Sequence, residues 1–218
     1  MVEDLPVTPM SIELTLAHRR FWWQIDDEDT QPGQRHVSAD ITPLDPCPDE
    51  LRHVADIELA VAGLGQEPNL LDAVVLGEWA LEFLTETVVD PGAGELHQAL
   101  EAEIAPGPPR MVVLRHVALT PLWRGHGLGA ALIGSALRML ALEARLAVCR
   151  VSPLEFVQCH DDPQLRELAA ARVGGMLEGI GFRRWRDLHV IGLRDPALLE
   201  ARMKVLDLWW PSGGKPHL

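Results

Sequence analysis

An α/β domain is the fold that this 218-residue sequence predicts, and three observations carry it. Segments of strand-like and helix-like periodicity alternate through the second half of the chain, in the order β-loop-α-β-α-β. Hydrophobic residues make up 47% and charged residues 23%, the balance of an ordinary globular protein with a core of its own. Gly 18 and Pro 17 are too few for a disordered or collagenous chain, and the length suits one large domain or one domain with an embellishment.

Residues 11–18 alternate apolar and polar side chains, the period of a strand with one solvated face. Residues 26–35 read as a turn or loop, and 36–41 as a short strand broken by the three prolines of 43–50. A further strand covers 53–62. Asn69 is a good N-cap with Asp72 near the positive helix end. Leu70, Leu71, Val74, Val75, Trp79, Phe83 and Leu84 then recur at helical spacing up to Val88, and Asp90-Pro91-Gly92 stops that helix. A second, short helix is expected over 95–104, before the prolines of 106–109 force an extended path. Residues 111–119 are apolar and β-branched, a buried strand, and 121–127 are a loop. From Gly129, the residues Leu132, Ile133, Ala136, Leu137, Leu140 and Ala144 form one helical stripe. A strand over 147–151, a helix over 164–178 ended by Gly179-Ile180-Gly181, a strand over 188–193 and a helix over 196–208 with Pro196 in its first turn complete the chain.

The net charge of −13 is unevenly spread. Residues 1–109 hold 22 acidic residues against four arginines, a net of −18, whereas 110–218 hold 10 acidic and 15 basic residues, a net of +5. One account is a solubilising acidic surface; the sharper one has the second half handling an anion while the first half meets something cationic. Nucleic acid does not fit as a partner, because phosphate contacts need the basic residues that the first half lacks. Cys47, Cys149 and Cys159 fit no paired or metal-binding spacing, which suits buried thiols in a reducing cytosol. The first residues lack the basic start and apolar run of a signal peptide, and no apolar stretch approaches about 18 residues. A cytoplasmic protein without membrane contact or bound metal is expected. Tryptophan occurs seven times, phenylalanine four times and tyrosine not at all, so no mechanism here uses a phenol. Trp209 and Trp210 are expected to dock on the sheet or on a second subunit, which would make a homodimer.

The most informative segment joins the strand over 111–119 to the helix that follows: Leu119-Thr-Pro-Leu-Trp-Arg124-Gly125-His126-Gly127-Leu128-Gly129. Glycines at alternate positions remove Cβ atoms, so several backbone N–H groups can converge on one spot. The helix N-terminus and Arg124 add positive charge there, which makes a pyrophosphate cradle. Gly125-x-Gly127-x-x-Ala130 also spells a variant dinucleotide fingerprint, the basis of an NADP-binding alternative. Against it, five residues separate strand from first glycine, and the stretch about 20 residues on, Arg145 to Arg150, holds no acidic ribose partner.

Strand, then Leu119-x-Pro121-x-x-Arg124-Gly125-x-Gly127-x-Gly129, then helix, resembles the acetyl-CoA motif of the GCN5-related N-acetyltransferases. Downstream the likeness extends to the strand over 147–151, a helix, then Gly181-Phe182-Arg183 and a last strand. It implies a mixed, mostly antiparallel central sheet flanked by helices, with 110–193 as the acetyl-CoA-binding core, 194–218 as a C-terminal helix and tail, and 1–109 as a divergent part of the same domain on the acceptor side. It implies that Arg124, Gly125, His126, Gly127, Leu128 and Gly129 hold the CoA pyrophosphate. Val117 and Leu119 would offer backbone groups to pantetheine and the acetyl carbonyl, with the Leu119 amide as oxyanion donor. The activity implied is transfer of an acetyl group from acetyl-CoA to an amine by direct attack in a ternary complex. The acidic first half makes a cationic small molecule the expected acceptor.

Two departures bear on the chemistry. The family commonly takes the thiolate's proton from a tyrosine four residues before the Gly-Phe pair; Leu177 stands there. A missing acid costs typically about 10² to 10⁴-fold, so positioning alone still leaves catalysis. Non-catalytic CoA binding, and acetylation of a protein N-terminus or lysine, are therefore the alternatives. His116 is the candidate base on the strand, although alternation groups 113, 115, 117 and 119 on one face and gives His116 the plainer role of a buried, hydrogen-bonded histidine. Arg115 would orient an acidic substrate group, and Glu155, His160, Asp161 and Asp162 form an acidic loop beside the acyl site.

Overall fold

The computed structural model of the chain describes residues 5–19, 33–64, 87–90, 95–156 and 161–210. The acidic half supplies β1 (Ile12–Arg19), β2 (Gly33–Ile41) and β3 (His53–Gly63). Two short strands, β4 (Val89–Asp90) and β5 (Glu95–Leu96), pair with each other ahead of a one-turn helix, α1 (Gln98–Glu101). Then come β6 (Arg110–Leu119), α2 (Leu128–Met139), β7 (Leu146–Arg150) and α3 (Pro163–Gly179). The chain closes with β8 (Arg183–Trp185), β9 (Leu188–Gly192) and α4 (Pro196–Trp209).

One seven-stranded sheet in the order β1-β2-β3-β6-β7-β9-β8 joins the acidic and basic halves. Every neighbouring pair is antiparallel except β6 with β7, so the fold is mixed α/β with a mostly antiparallel sheet. The helix expected over 95–104 is replaced by β5 and α1. Leu96, Leu100 and Ile104 are buried at i, i+4, i+8 and imitate a longer helix, but the backbone of Glu95 and Leu96 pairs with β4. Of the helix expected over 69–88, only Thr87 and Val88 lie among the described residues. The strand β8 was not expected, because Arg183-Arg184-Trp185 carries no apolar alternation.

The helices α2, α3 and α4 cover one face of the sheet. Every residue of the expected stripe is buried, although α2 ends at Met139 with Leu140 and Ala144 lying past it, and these side chains pack with Val37, Ala39, Ile57, Leu59, Val112 and Leu114 of the strands. Burying each leucine, isoleucine or valine among them is worth about 1.5–3 kcal/mol. α2 and α4 approach closely at Gly134, where an added Cβ would lie 2.9 Å from the Leu198 carbonyl oxygen. α3 and α4 start alike: Asp162 accepts from the Gln164 N–H at 2.8 Å and Asp195 from the Ala197 N–H at 2.9 Å, each followed by proline in the first turn. On the opposite face a second apolar cluster joins β4, β5 and α1 to Met111, Val113, Leu146, Val148, Leu188 and Val190. Among the described residues, no helix is long and apolar enough to cross a membrane.

Candidate functional site

β6 and β7 run side by side for only three residue pairs, Met111–Val113 against Leu146–Val148. Among the described residues β6 then continues to Leu119 with no strand paired to it on that side, while β7 ends at Arg150. The cause is local. Glu58 pairs with His116 but Leu59 with Leu114, so Arg115 is an extra residue in β6, a bulge that bends the strand and increases its twist. The bulge also corrects the expected side-chain order: Val113 packs on one face, whereas Val117 and Leu119 pack with Val112 and Leu114 on the helix face. His116 therefore stands on the face away from the helices, and it is exposed rather than buried.

The opened edge of β6 presents usable backbone. The Thr120 N–H donates to the Val54 carbonyl at 2.9 Å, which makes Ala55 and Leu119 a non-hydrogen-bonded pair of the β3–β6 ladder. The N–H and C=O of Leu119, and by alternation those of Val117, thus point away from β3, toward the side from which β7 has diverged. Both residues were expected to offer backbone groups, and the ladder aims them into the gap.

Past Leu119 the loop is pinned before it reaches the glycines. The Thr120 hydroxyl donates to the carbonyl of His53 at 3.0 Å, Trp123 is 0% exposed, and its indole N–H reaches the Leu51 carbonyl at 3.4 Å. Exposed Arg124 curls back, Nε donating to the Leu119 carbonyl at 2.8 Å. Gly125 and Gly127 hold φ of +82° and +75°, the left-handed region that other residues enter only with strain. A Cβ added to either would meet nothing within 4 Å, so both face open space. Gly127 is the N-cap of α2 and supplies no side-chain acceptor, which leaves the first N–H groups of a twelve-residue helix for an outside partner. Leu128 is buried and Gly129 lies 3.8 Å, by its notional Cβ, from the Leu119 side chain, so these two act through backbone alone. The His126 side chain turns its ring edge-on to Trp209 of α4, with centroids 6.1 Å apart, so it too would act on a diphosphate through its backbone.

Neither family models, curated proteins nor solved structures contain a match to the chain.

Other expected residues do structural work or lie elsewhere. Asp162 is the α3 cap, and the Asp161 carbonyl accepts from Arg166 at 2.8 Å; His160 and the Glu155 side chain lie outside the described residues. Leu177 is 1% exposed and packed in the main core, so an apolar contact fills the position where the resemblance puts a phenol. Cys47 and Cys149 are buried, as expected, and Cys159 lies outside the described residues. Among the described residues no group of three or more His, Cys, Asp or Glu is arranged to hold a metal ion. The bulge at Arg115 is the feature that sequence reasoning missed. Nothing local announces it, because it exists only as a mismatch between two strands far apart in sequence.

Proposed function

We propose that the chain is an acetyl-CoA-dependent N-acyltransferase of the GCN5-related type, acting on an amine. The observation that carries this reading is the pairing of an uncapped, glycine-opened helix N-terminus with a strand whose partner diverges beside it. The cradle suits a diphosphate: its backbone N–H groups from Gly125 to Gly129 and the α2 dipole supply the positive field, and the open space at both positive-φ glycines gives the close approach. The divergence suits an extended arm that completes the interrupted ladder along Val117 and Leu119. Bound there, acetyl-CoA would supply an acetyl group activated as a thioester. The Leu119 N–H would stabilise the oxyanion that develops at the acetyl carbonyl. With Leu177 in the core and no tyrosine in the chain, the departing thiolate takes its proton from the reacting nitrogen or from water.

The dinucleotide reading loses support from the sheet. That fingerprint belongs to open, mostly parallel sheets, and among the described residues here a single strand pair is parallel. A CoA-binding protein without catalysis keeps support from Leu177. Thermal shift separates the readings: CoA or acetyl-CoA at 100 times its Kd adds about 2.7 kcal/mol of stability, and NADP adds none. A shift with NADP but not with CoA overturns the acyltransferase reading. A CoA shift without CoA release from acetyl-CoA across a panel of alkyl and aryl amines leaves the non-catalytic binder.

A further inference from the structure

The sheet face away from the helices carries a second polar constellation, built on the strands of the acidic half. His36, Glu58 and His116 are successive register partners across β2, β3 and β6. Their chain neighbours Val37, Ile57, Leu59 and Val117 pack toward the helices, which places this row on the opposite face. Directly opposed residues hold their Cβ atoms about 4.5–5.5 Å apart, so Glu58 lies between two imidazoles. His116 is the first residue past the Arg115 bulge, at the edge of the gap between β6 and β7.

The neighbouring carboxylates are already engaged. Asp56 meets His36 Nε2 and His53 Nε2, each at 2.9 Å, and Asp40 meets His53 Nδ1 at 2.9 Å. Both ring nitrogens of His53 thus face carboxylate oxygens. The Asp40 hydrogen bond, against the opposing effect of burial and with help from Asp56, raises its pKa above the ordinary value. Asp40 and Asp56 therefore have cationic or donor partners, whereas Glu58 is exposed and takes no part in these bonds.

Resting on the acyltransferase reading, we infer that Glu58 seats the ammonium of a cationic alkylamine acceptor and acts as its general base, the acceptor entering from the sheet face opposite the helices. The interrupted ladder lets a nitrogen on the Glu58–His116 row reach a thioester held along Val117 and Leu119. The ammonium gives one proton to the Glu58 carboxylate, which passes it to solvent. The neutral nitrogen attacks the thioester carbonyl, the C–N bond forms and the C–S bond breaks. The thiolate leaves with a second proton from that nitrogen, so amide, thiol and one solvent proton result.

Spermidine serves as the probe, titrated calorimetrically into the full chain with CoA present, for wild type and Glu58→Gln. Glu58 is exposed, so the variant keeps its fold and its CoA affinity. The expected result is at least tenfold weaker spermidine binding in Glu58→Gln. Its kcat/KM for spermidine acetylation should fall about 10² to 10⁴-fold at neutral pH and recover as rising pH supplies neutral amine without help. Equal spermidine affinity in both proteins, or none in a CoA-binding wild type, overturns the Glu58 assignment and leaves the acyltransferase reading standing. A wild type that binds no CoA overturns that reading itself, and the Glu58 assignment with it.

Discussion

Replacing Gly127 by valine tests the cradle with two separable effects. Gly127 has φ +75°, and a side chain forced into that region costs about 1–3 kcal/mol, more readily so when β-branched. Nothing lies within 4 Å of the new Cβ, so no clash adds to the strain. For a chain of this length each kcal/mol moves Tm by about 2–4 °C, so the unliganded variant should melt about 2–12 °C below wild type. The second effect appears only with ligand. Wild type at 100 times Kd of CoA gains about 2.7 kcal/mol, or about 5–11 °C; the variant should gain nothing, because its side chain occupies the space the diphosphate needs. Gly134→Ala is the matched control. Its Cβ would press within 2.9 Å of the Leu198 carbonyl, an overpacking worth about 1–3 kcal/mol, yet it lies away from the cradle and should keep the full CoA shift. Scanning calorimetry with and without CoA reads both. A CoA shift of wild-type size in Gly127→Val would refute the assignment of Gly127 to the ligand.

Two further outcomes concern stability. Trp123→Ala should cost about 3–5 kcal/mol in urea unfolding, since a fully buried indole that anchors the loop to Leu51 is removed; a loss under 1 kcal/mol would mean the loop is held otherwise. His53 and His189 should tilt the pH dependence of stability in opposite directions. His53 is raised above its ordinary 6.5, so its contribution is complete below that value and fades as pH rises through the folded one. His189, packed beneath Gly174 with Nε2 3.7 Å from Glu178, is lowered by burial, so the unfolded chain binds protons first and stability falls as pH drops below about 6.5. Unfolding free energies measured between about pH 5 and 8 should lose the alkaline decline in His53→Gln and the acid decline in His189→Gln; unchanged profiles would contradict these assignments.

The elements that were legible in the sequence are those whose signals are local. The α2 stripe, Pro196 in the first turn of α4, and the strands over 53–62 and 111–119 follow from local periodicity and capping, which need only neighbouring residues, whereas the cap role of Asp162 is hidden in what reads as an acidic loop. The glycine loop belongs with them, because positive φ and a missing cap are written in Gly125 and Gly127. What was hidden depends on pairing at long range. β8 is strand only because Arg184 meets His189 across the turn, and the polar row exists only because His36, Glu58 and His116 share a register. The grouping of Val113 with Val117 and Leu119 on one face failed for the same reason, since alternation counted along one strand cannot register an extra residue opposite another.

That extra residue makes β6 intolerant of length change at a place where most strands would tolerate substitution. The bulge is set by the count of residues between Leu114 and His116, not by which side chain stands between them. Deleting Arg115 would restore an even ladder with Leu114 against Leu59 and His116 against Glu58, every side chain on the face it holds now, and would remove the bend that carries β6 away from β7. A single unit of chain length therefore sets the opening of the gap between β6 and β7, while the apolar and polar walls of that gap keep their residues.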